Sequence, residues 1–399
     1  MQPGIYNSQS NEDYHAGPGE SKSLLDLAHT SGAHYRARTM EAANDGPAMN
    51  YEPTAAQFIG TAFHCLLLEP QRFVKDYCLA LRPVDAPEAI ESKDQLLAMV
   101  AELNAHRKPK LPTSGSKAEL QERILAAWTE CGAPDTVQDM AAHLQSLGLA
   151  ELKEQLAEIN ATRPGMLPTT GTMEQLAQVL RDAGRQVTLW ADVKAEWSRN
   201  NGHRTVLSVE QWEQLHRMRD AVMAHPGARA LLSKAGVAER SVYWVDPITG
   251  LLCRCRPDWW VQLEGIVMDV KTTEDASPVG FARSIANYRY HVQDAFYRDG
   301  INHVREQMKP DPFGAPVPAP IRAFAFLAVE KSARVVDGEP LGVAVYVLSP
   351  QDVEQGRDEY RADLARIAEW KRAGRFPGYG NAVQGIELPG YARKREGAA

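Results

Sequence analysis

The stretch Cys255–Thr273, CRPDWWVQLEGIVMDVKTT, spaces its apolar residues as strands do around a tight Leu263–Gly265 turn, which predicts a β-hairpin. It also carries Asp258 at the end of one strand and Asp269 and Lys271 within the next. A buried ion left unpaired costs several kcal/mol, so these three charges must meet something that takes them together. Residues two apart on a strand share a face, so Asp269 and Lys271 project together while Val270 points into the core. The turn brings Asp258 back beside Asp269, and two carboxylates at that range repel unless a cation separates them. Mg2+ suits such a pair, because it takes a few carboxylates together with substrate phosphate oxygens and water. A neighbouring lysine can then orient or deprotonate a bound water and stabilise charge growing on phosphorus. Asp258, Asp269 and Lys271 are therefore the candidate catalytic residues of a phosphodiester hydrolase. Asp258 also fits a plain turn-capping role after Pro257.

The rest of the chain sets the frame. Its 399 residues, 44% hydrophobic and 24% charged, suffice for one large domain or two medium ones. A net charge of −7 gives no global basic field, although basic patches can be local. Cys65, Cys78, Cys131, Cys253 and Cys255 show neither disulfide nor zinc spacing, which predicts a reduced, cytoplasmic protein. The first residues lack a signal pattern, and no apolar run reaches membrane-spanning length, so no membrane partner is expected.

Residues 1–84 read as a loop, a helix capped by Ser21 or Ser23, a strongly apolar helix carrying His64, and a short strand. From 85 to 190 the composition changes and a repeat appears: AELNAHRKPKLPTSGSKAEL (101–120) matches AEINATRPGMLPTTGTMEQL (157–176) at an offset of 56 residues. Each copy places a Leu-Pro-Thr-x-Gly turn between two amphipathic helices, which predicts an inserted helical module. Residues 191–399 hold a helix, the strand meander containing the opening hairpin, a long helix over 281–301, two further strands, and a final helix begun by Ser349 and Pro350. The expected fold class is α/β (α+β), a mixed central sheet flanked by helices, with a small all-helical insert.

His64 alone fits a hydrogen-bonded core histidine, and Gln293 and Tyr297, four apart on one helix face, are unremarkable by themselves. Taken in order, however, GTAFHCLLLEP, CRPD, MDVKTT and YHVQDAFY resemble the RecB-like branch of the PD-(D/E)XK nucleases, and within it the RecE-type exodeoxyribonuclease VIII family. The opening GIYNSQSNEDYHAGPGESKSLLD and the closing IELPGYARK share the resemblance, which covers residues 4–80 and about 188–395.

That resemblance implies a restriction-endonuclease-like core in which His64, Asp258, Asp269 and the Val270 backbone carbonyl hold the metal, with Lys271 as the catalytic ammonium. It implies that Gln293 and Tyr297 help hold the site and the DNA strand. The activity it implies is 5′ to 3′ digestion of linear double-stranded DNA, leaving 3′ overhangs for a single-strand annealing recombinase, by a ring-like homo-oligomer. Mg2+ is the expected cofactor, and the imidazole ligand makes Mn2+ an effective substitute. Ser21 and Ser23, at a helix amino terminus, could receive a terminal 5′ phosphate or serve as ordinary caps. No ATP-binding phosphate loop is present. No cysteine follows Cys255, which excludes the four-cysteine iron–sulfur cluster of some relatives.

The first repeat resembles a SAP motif, a DNA-binding helix–loop–helix, over about 92–126, and the second copy runs over about 150–182. Arg107, Lys108, Lys110 and Lys117 are its candidate phosphate contacts. The second copy has Met173 and Val179 where Lys117 and Arg123 stand, which predicts a packing role. Two other readings stay open: a catalytically silent DNA-end-binding protein of the same fold, and a structure-specific endonuclease.

Overall fold

The computed structural model describes residues 1–7, 9–42, 54–130, 137–309 and 316–387. It divides into two compact units, Met1–Leu79 with Val206–Ala399, and Ala80–Thr205. The first unit opens with β1 (Gly4–Tyr6) and α1 (Asn11–Ala16), whose cap Ser10 accepts from the Asp13 amide. The single helix expected after Ser21 is two, α2 (Lys22–Thr30) and α3 (Gly32–Ala42). The break is at Ser31, which is extended and whose Oγ accepts from the His34 amide at the start of the second helix. Next come α4 (Ala55–Leu68), begun by a Thr54–Gln57 capping box, then α5 (Pro70–Asp76) and β2 (Tyr77–Leu79).

The second unit contains α6 (Lys93–Asn104), α7 (Lys117–Glu130), α8 (Val137–Ser146), α9 (Leu149–Thr162), α10 (Met173–Asp182) and α11 (Trp190–Asn201). It takes in α11, which sequence reasoning placed in the main core. The reason is local: Trp190 N donates to Ile90 O at 3.0 Å, and Leu189 is buried with the insert's own leucines. The two helix–loop–helix repeats share their cores. Leu96 and Val100 of α6 share a core with Leu176 and Leu180 of α10, whereas Leu120 and Ile124 of α7 pack with Leu152 and Leu156 of α9. Each copy thus packs its helices on those of the other copy.

The loops are exchanged in the same way. Asn104 bonds both the amide and the carbonyl of Leu167, at 2.8 and 3.0 Å. Its counterpart Asn160 does the same to Leu111, at 2.7 and 2.9 Å. Arg107 donates to the Gly165 carbonyl and the equivalent Arg163 to the Pro109 carbonyl. Gly115 and Gly171, the glycines of the two Leu-Pro-Thr-x-Gly turns, have φ of 141° and 140°, a backbone that favours glycine.

Back in the first unit follow β3 (Thr205–Leu207), neighbour of β2 in a two-stranded sheet, α12 (Val209–Ala224) and α13 (Pro226–Leu232). The remaining elements are β4 (Val237–Ala238), β5 (Ser241–Val245), β6 (Leu252–Cys255), β7 (Trp259–Val261), β8 (Ile266–Thr273), α14 (Pro278–Asn287), α15 (Tyr290–Gln307), β9 (Ala323–Val336), β10 (Glu339–Val347) and α16 (Pro350–Ala373). The expected meander is split between two sheets: β1-β5-β6, and β10-β9-β8-β7-β4. Residues 256–258 make the break, since Pro257 has no N–H for a ladder and Asp258 turns its carboxylate to the Val270 amide. The second sheet is mixed, with β8 parallel to β9 and its other pairs antiparallel.

The long helix expected over 281–301 is also two, because Arg289 adopts the left-handed conformation with φ of 53°. Its guanidinium holds that junction with Asp26 (3.1 Å), Glu359 (3.1 Å) and the fully buried Asp363 (2.7 Å).

One face of the mixed sheet packs Val267, Phe324 and Phe326 against α15 and α16; the other packs Met268, Val270 and Leu327 against α4 and α12. Alternation along β8 therefore leaves Asp269 and Lys271 on the α15 side, as the sequence predicts. The closing IELPGYARK lies largely outside the described residues.

Candidate metal-dependent active site

A cavity of about 310 Å³ collects His64 from α4, Asp258 from the loop before β7, Asp269 and Lys271 from β8, and Gln293 and Tyr297 from α15. Residues 61, 64 and 65 line it together, as one helical turn of α4 requires. The candidates that sequence reasoning assembled from four separated stretches thus share one space.

The closest group in it contains one residue the sequence reading missed. His64, Glu239 and Asp258 each offer a ligand atom within 4.8 Å of the others. His64 Nδ1 lies 3.5 Å from Asp258 Oδ2. Glu239 precedes β5 in a left-handed conformation, φ 52°, which costs a non-glycine residue about 1–3 kcal/mol. Its amide donates to the Asp258 carbonyl, and Arg256 Nε lies 2.8 Å from its carboxylate. No periodicity marks Glu239; the only signal is a charge at the mouth of the apolar strand SVYWV.

Asp269 lines the same cavity and is held from α15. Gln293 Nε2 donates to its Oδ1 at 2.5 Å, while Lys271 Nζ lies 2.6 Å from Oδ2 as an ion pair without hydrogen-bond alignment. Oδ2 is thus a buried oxygen with hydrogen-bonding capacity to spare. Gln293 therefore engages the Asp269 carboxylate, and both Gln293 and Tyr297 are buried where they line the cavity. Val270 contributes its amide, which donates to Asp258 Oδ2 at 2.7 Å, and buries its side chain.

Burial pushes the Asp258 carboxyl up to about 6, with the Asp269 charge adding to it and His64 and Lys271 opposing it. Burial, reinforced by Asp258, pushes Glu239 up to about 8. Lys271 is moved the other way from the usual burial effect. Burial alone would lower it, but the carboxylates of Asp269 and Asp258 raise it, so it stays an ammonium. Crowded carboxyls that resist ionisation, beside an imidazole, fit a hard divalent cation such as Mg2+ or Mn2+.

The other predicted contacts lie elsewhere. Ser21 and Ser23 line a second cavity of about 360 Å³ with Arg38, Arg254 and Lys371, which shares His15 with the first. Ser21 holds the N-cap position of α2, and its Oγ lies 2.9 Å from Ser23 Oγ and caps no amide. In the insert, Arg107 is engaged with the Gly165 and Pro164 carbonyls, Lys117 donates to the Gln145 carbonyl, and Lys108 lies 3.6 Å from Glu130. Lys110 is exposed. Cys253 and Cys255 are buried core thiols pushed up by desolvation.

A mixed sheet with α15 and α16 on one face, α4 and α12 on the other, and Asp269 and Lys271 on its central strand fits a PD-(D/E)XK-like α/β fold. Residues 190–388 match the model of a family described as a PDDEXK-like domain of unknown function (DUF3799). His64 stands outside that span. Among solved structures the chain is similar to a "Putative exonuclease" from Eubacterium rectale, at 12% identity and a TM-score of 0.29, over 54% of this chain and 72% of that one. No curated protein matches the chain. Among the described residues, no helix is long and apolar enough to cross a membrane.

Proposed function

We propose that the protein is a metal-dependent exodeoxyribonuclease that hydrolyses linear double-stranded DNA from its ends. The observation that carries this reading is the convergence of His64, Glu239 and Asp258 within 4.8 Å, in the cavity that also holds Asp269 and Lys271. His64, Asp258, Asp269 and Glu239 would hold Mg2+ or Mn2+, with the Val270 carbonyl as a further ligand. Such a cation, when bound, would supply a water that is acidic near neutral pH and a Lewis acid for a phosphoryl oxygen.

The chain's own groups do the rest. Lys271 stays protonated and places positive charge where the oxygens of the five-coordinate phosphorus become more anionic. Gln293 fixes the Asp269 carboxylate, and Arg256 fixes that of Glu239, so the site is oriented before substrate arrives. The sequence resemblance supports 5′ to 3′ polarity, a 3′-overhang product for an annealing recombinase, and a homo-oligomer. The second cavity supports a seat for the terminal 5′ phosphate at Ser21 and Ser23. The basic loop of the insert, with Lys110 exposed, supports an additional duplex contact.

The test is digestion of linear duplex labelled separately at each 5′ and 3′ end, with Mg2+, Mn2+ or chelator, beside a closed circle and the Asp269→Ala/Lys271→Ala protein. Metal-dependent release of the 5′ label from linear DNA alone, absent in the variant, is expected. Ends bound without cleavage under either metal would replace this reading with that of a silent end-binding protein. Cutting of the circle would make it an endonuclease.

A further inference from the structure

Lys271 has a second neighbour that the metal-site chemistry does not use. Its ammonium lies 4.6 Å from the ring centroid of Tyr290, the first residue of α15. The ring is held firmly. It stacks on Phe326 at 5.8 Å and 24° and on Tyr288 at 5.6 Å and 25°. Phe326 is the register partner of Asp269 across β8 and β9. On the chain's other side, Tyr290 follows the left-handed Arg289, fixed by Asp26, Glu359 and Asp363. A second ammonium, that of Lys22, stands 5.8 Å from the same ring and is bound by Asp26 at 2.6 Å.

The Asp269–Lys271 pair alone is a poor way to position a catalytic ammonium. Asp269 is also a metal-ligand candidate, and a carboxylate engaged by a divalent cation attracts an ammonium less strongly. An aromatic face attracts a cation through its quadrupole and offers no single acceptor atom, so it leaves available the N–H donors that Asp269 does not engage.

We propose that Tyr290 is a positioning residue: its ring face holds the Lys271 ammonium over the site, leaving the N–H donors for substrate oxygens. The inference rests on the reading of this cavity as a phosphodiester-hydrolysing centre for its consequence, though not for the contact itself. The hydroxyl has no part in it, so the ring should be replaceable by another ring and not by an aliphatic side chain.

Two measurements test this. In protein labelled with 13C-lysine, the Lys271 ε-methylene signal is assigned by its loss in Lys271→Arg. It should be shifted upfield by the ring in the wild type and in Tyr290→Phe, and should return to the ordinary lysine position in Tyr290→Leu. In cleavage assays, Tyr290→Phe should retain most of the turnover, while Tyr290→Leu should lose about tenfold in kcat with little change in KM, the size expected of one partly buried cation–π contact. Progressive fluorination of a phenylalanine placed at 290 weakens the quadrupole at nearly constant shape, so kcat should fall stepwise along the series. This series keeps the test decisive if Tyr290→Leu misfolds.

An unshifted wild-type Lys271 signal overturns the inference, as does a fluorinated series with flat kcat or a Tyr290→Phe as impaired as Tyr290→Leu. A wild type that cleaves no DNA overturns the hydrolytic reading alone, while the lysine signal still decides the contact.

Discussion

Replacing Asp258 by asparagine should stabilise the protein in the absence of metal and remove most of the stabilisation that metal brings. The folded chain holds the Asp258 carboxyl at about 6 against an ordinary 3.8. At about 1.4 kcal/mol per pH unit, keeping it ionised costs the native state about 3 kcal/mol. Asparagine carries no charge, and its carbonyl can still accept from the Val270 amide. Its new N–H2 must find partners beside His64, so the net gain should be about 1–2 kcal/mol. Because the native pKa is raised, the native state binds the extra proton between about pH 4 and 6, and wild-type stability falls as pH rises through that window. The gap between variant and wild type should therefore open from about pH 4 to 6 and stay open above it. Urea unfolding in chelator at pH 4.5, 6 and 8, repeated with Mn2+, reads both effects. Metal at about a hundred times its Kd stabilises by about 2.7 kcal/mol, enough to invert the order of the two proteins. A variant less stable than wild type in chelator, by a margin that does not change with pH, would refute the reasoning. Asp258 would then be a structural cap for Val270 and not a strained ligand.

Three other outcomes are expected. Gln293→Leu removes the 2.5 Å bond to Asp269 and should weaken Mn2+ binding about 10- to 100-fold by calorimetric titration. Arg289→Ala leaves the fully buried Asp363 with Arg366 but without its 2.7 Å partner and should cost about 1.5–3 kcal/mol in urea unfolding, with Arg289→Lys recovering only part. Asn160→Ala should raise amide exchange around Leu111 in the other copy more than around its own loop, and Asn104→Ala should do the converse at Leu167.

The sequence carried the site's identity further than its geometry. Asp269 and Lys271 were legible because strand alternation is a local rule, and β8 obeys it. The break at Pro257 was legible as chemistry, an Asp at a strand end, but not as a change of sheet, since pairing partners are set by distant segments. The joined reading of α14 and α15 failed for a similar reason. Arg289 carries no helix-breaking signal, and its left-handed backbone is held by acids on α2 and α16. Glu239 escaped because its place in the site comes from one backbone conformation and a contact with the Asp258 carbonyl. The repeat was plain in the sequence, yet two similar copies do not reveal whether each packs on itself or on its twin.

That last ambiguity has an evolutionary side. With Asn104 holding Leu167 and Asn160 holding Leu111, the insert is a two-fold dimer written into one chain, its halves kept at high effective concentration by the connecting segment. Neither copy can drift freely in the residues that grip the other, whatever happens to its own surface. The second copy has Met173 and Val179 where the first has Lys117 and Arg123, yet it has Asn160, Arg163 and Leu167 where the first has Asn104, Arg107 and Leu111. The shared positions are those through which each copy holds the other, so a change at one of them is felt in its twin.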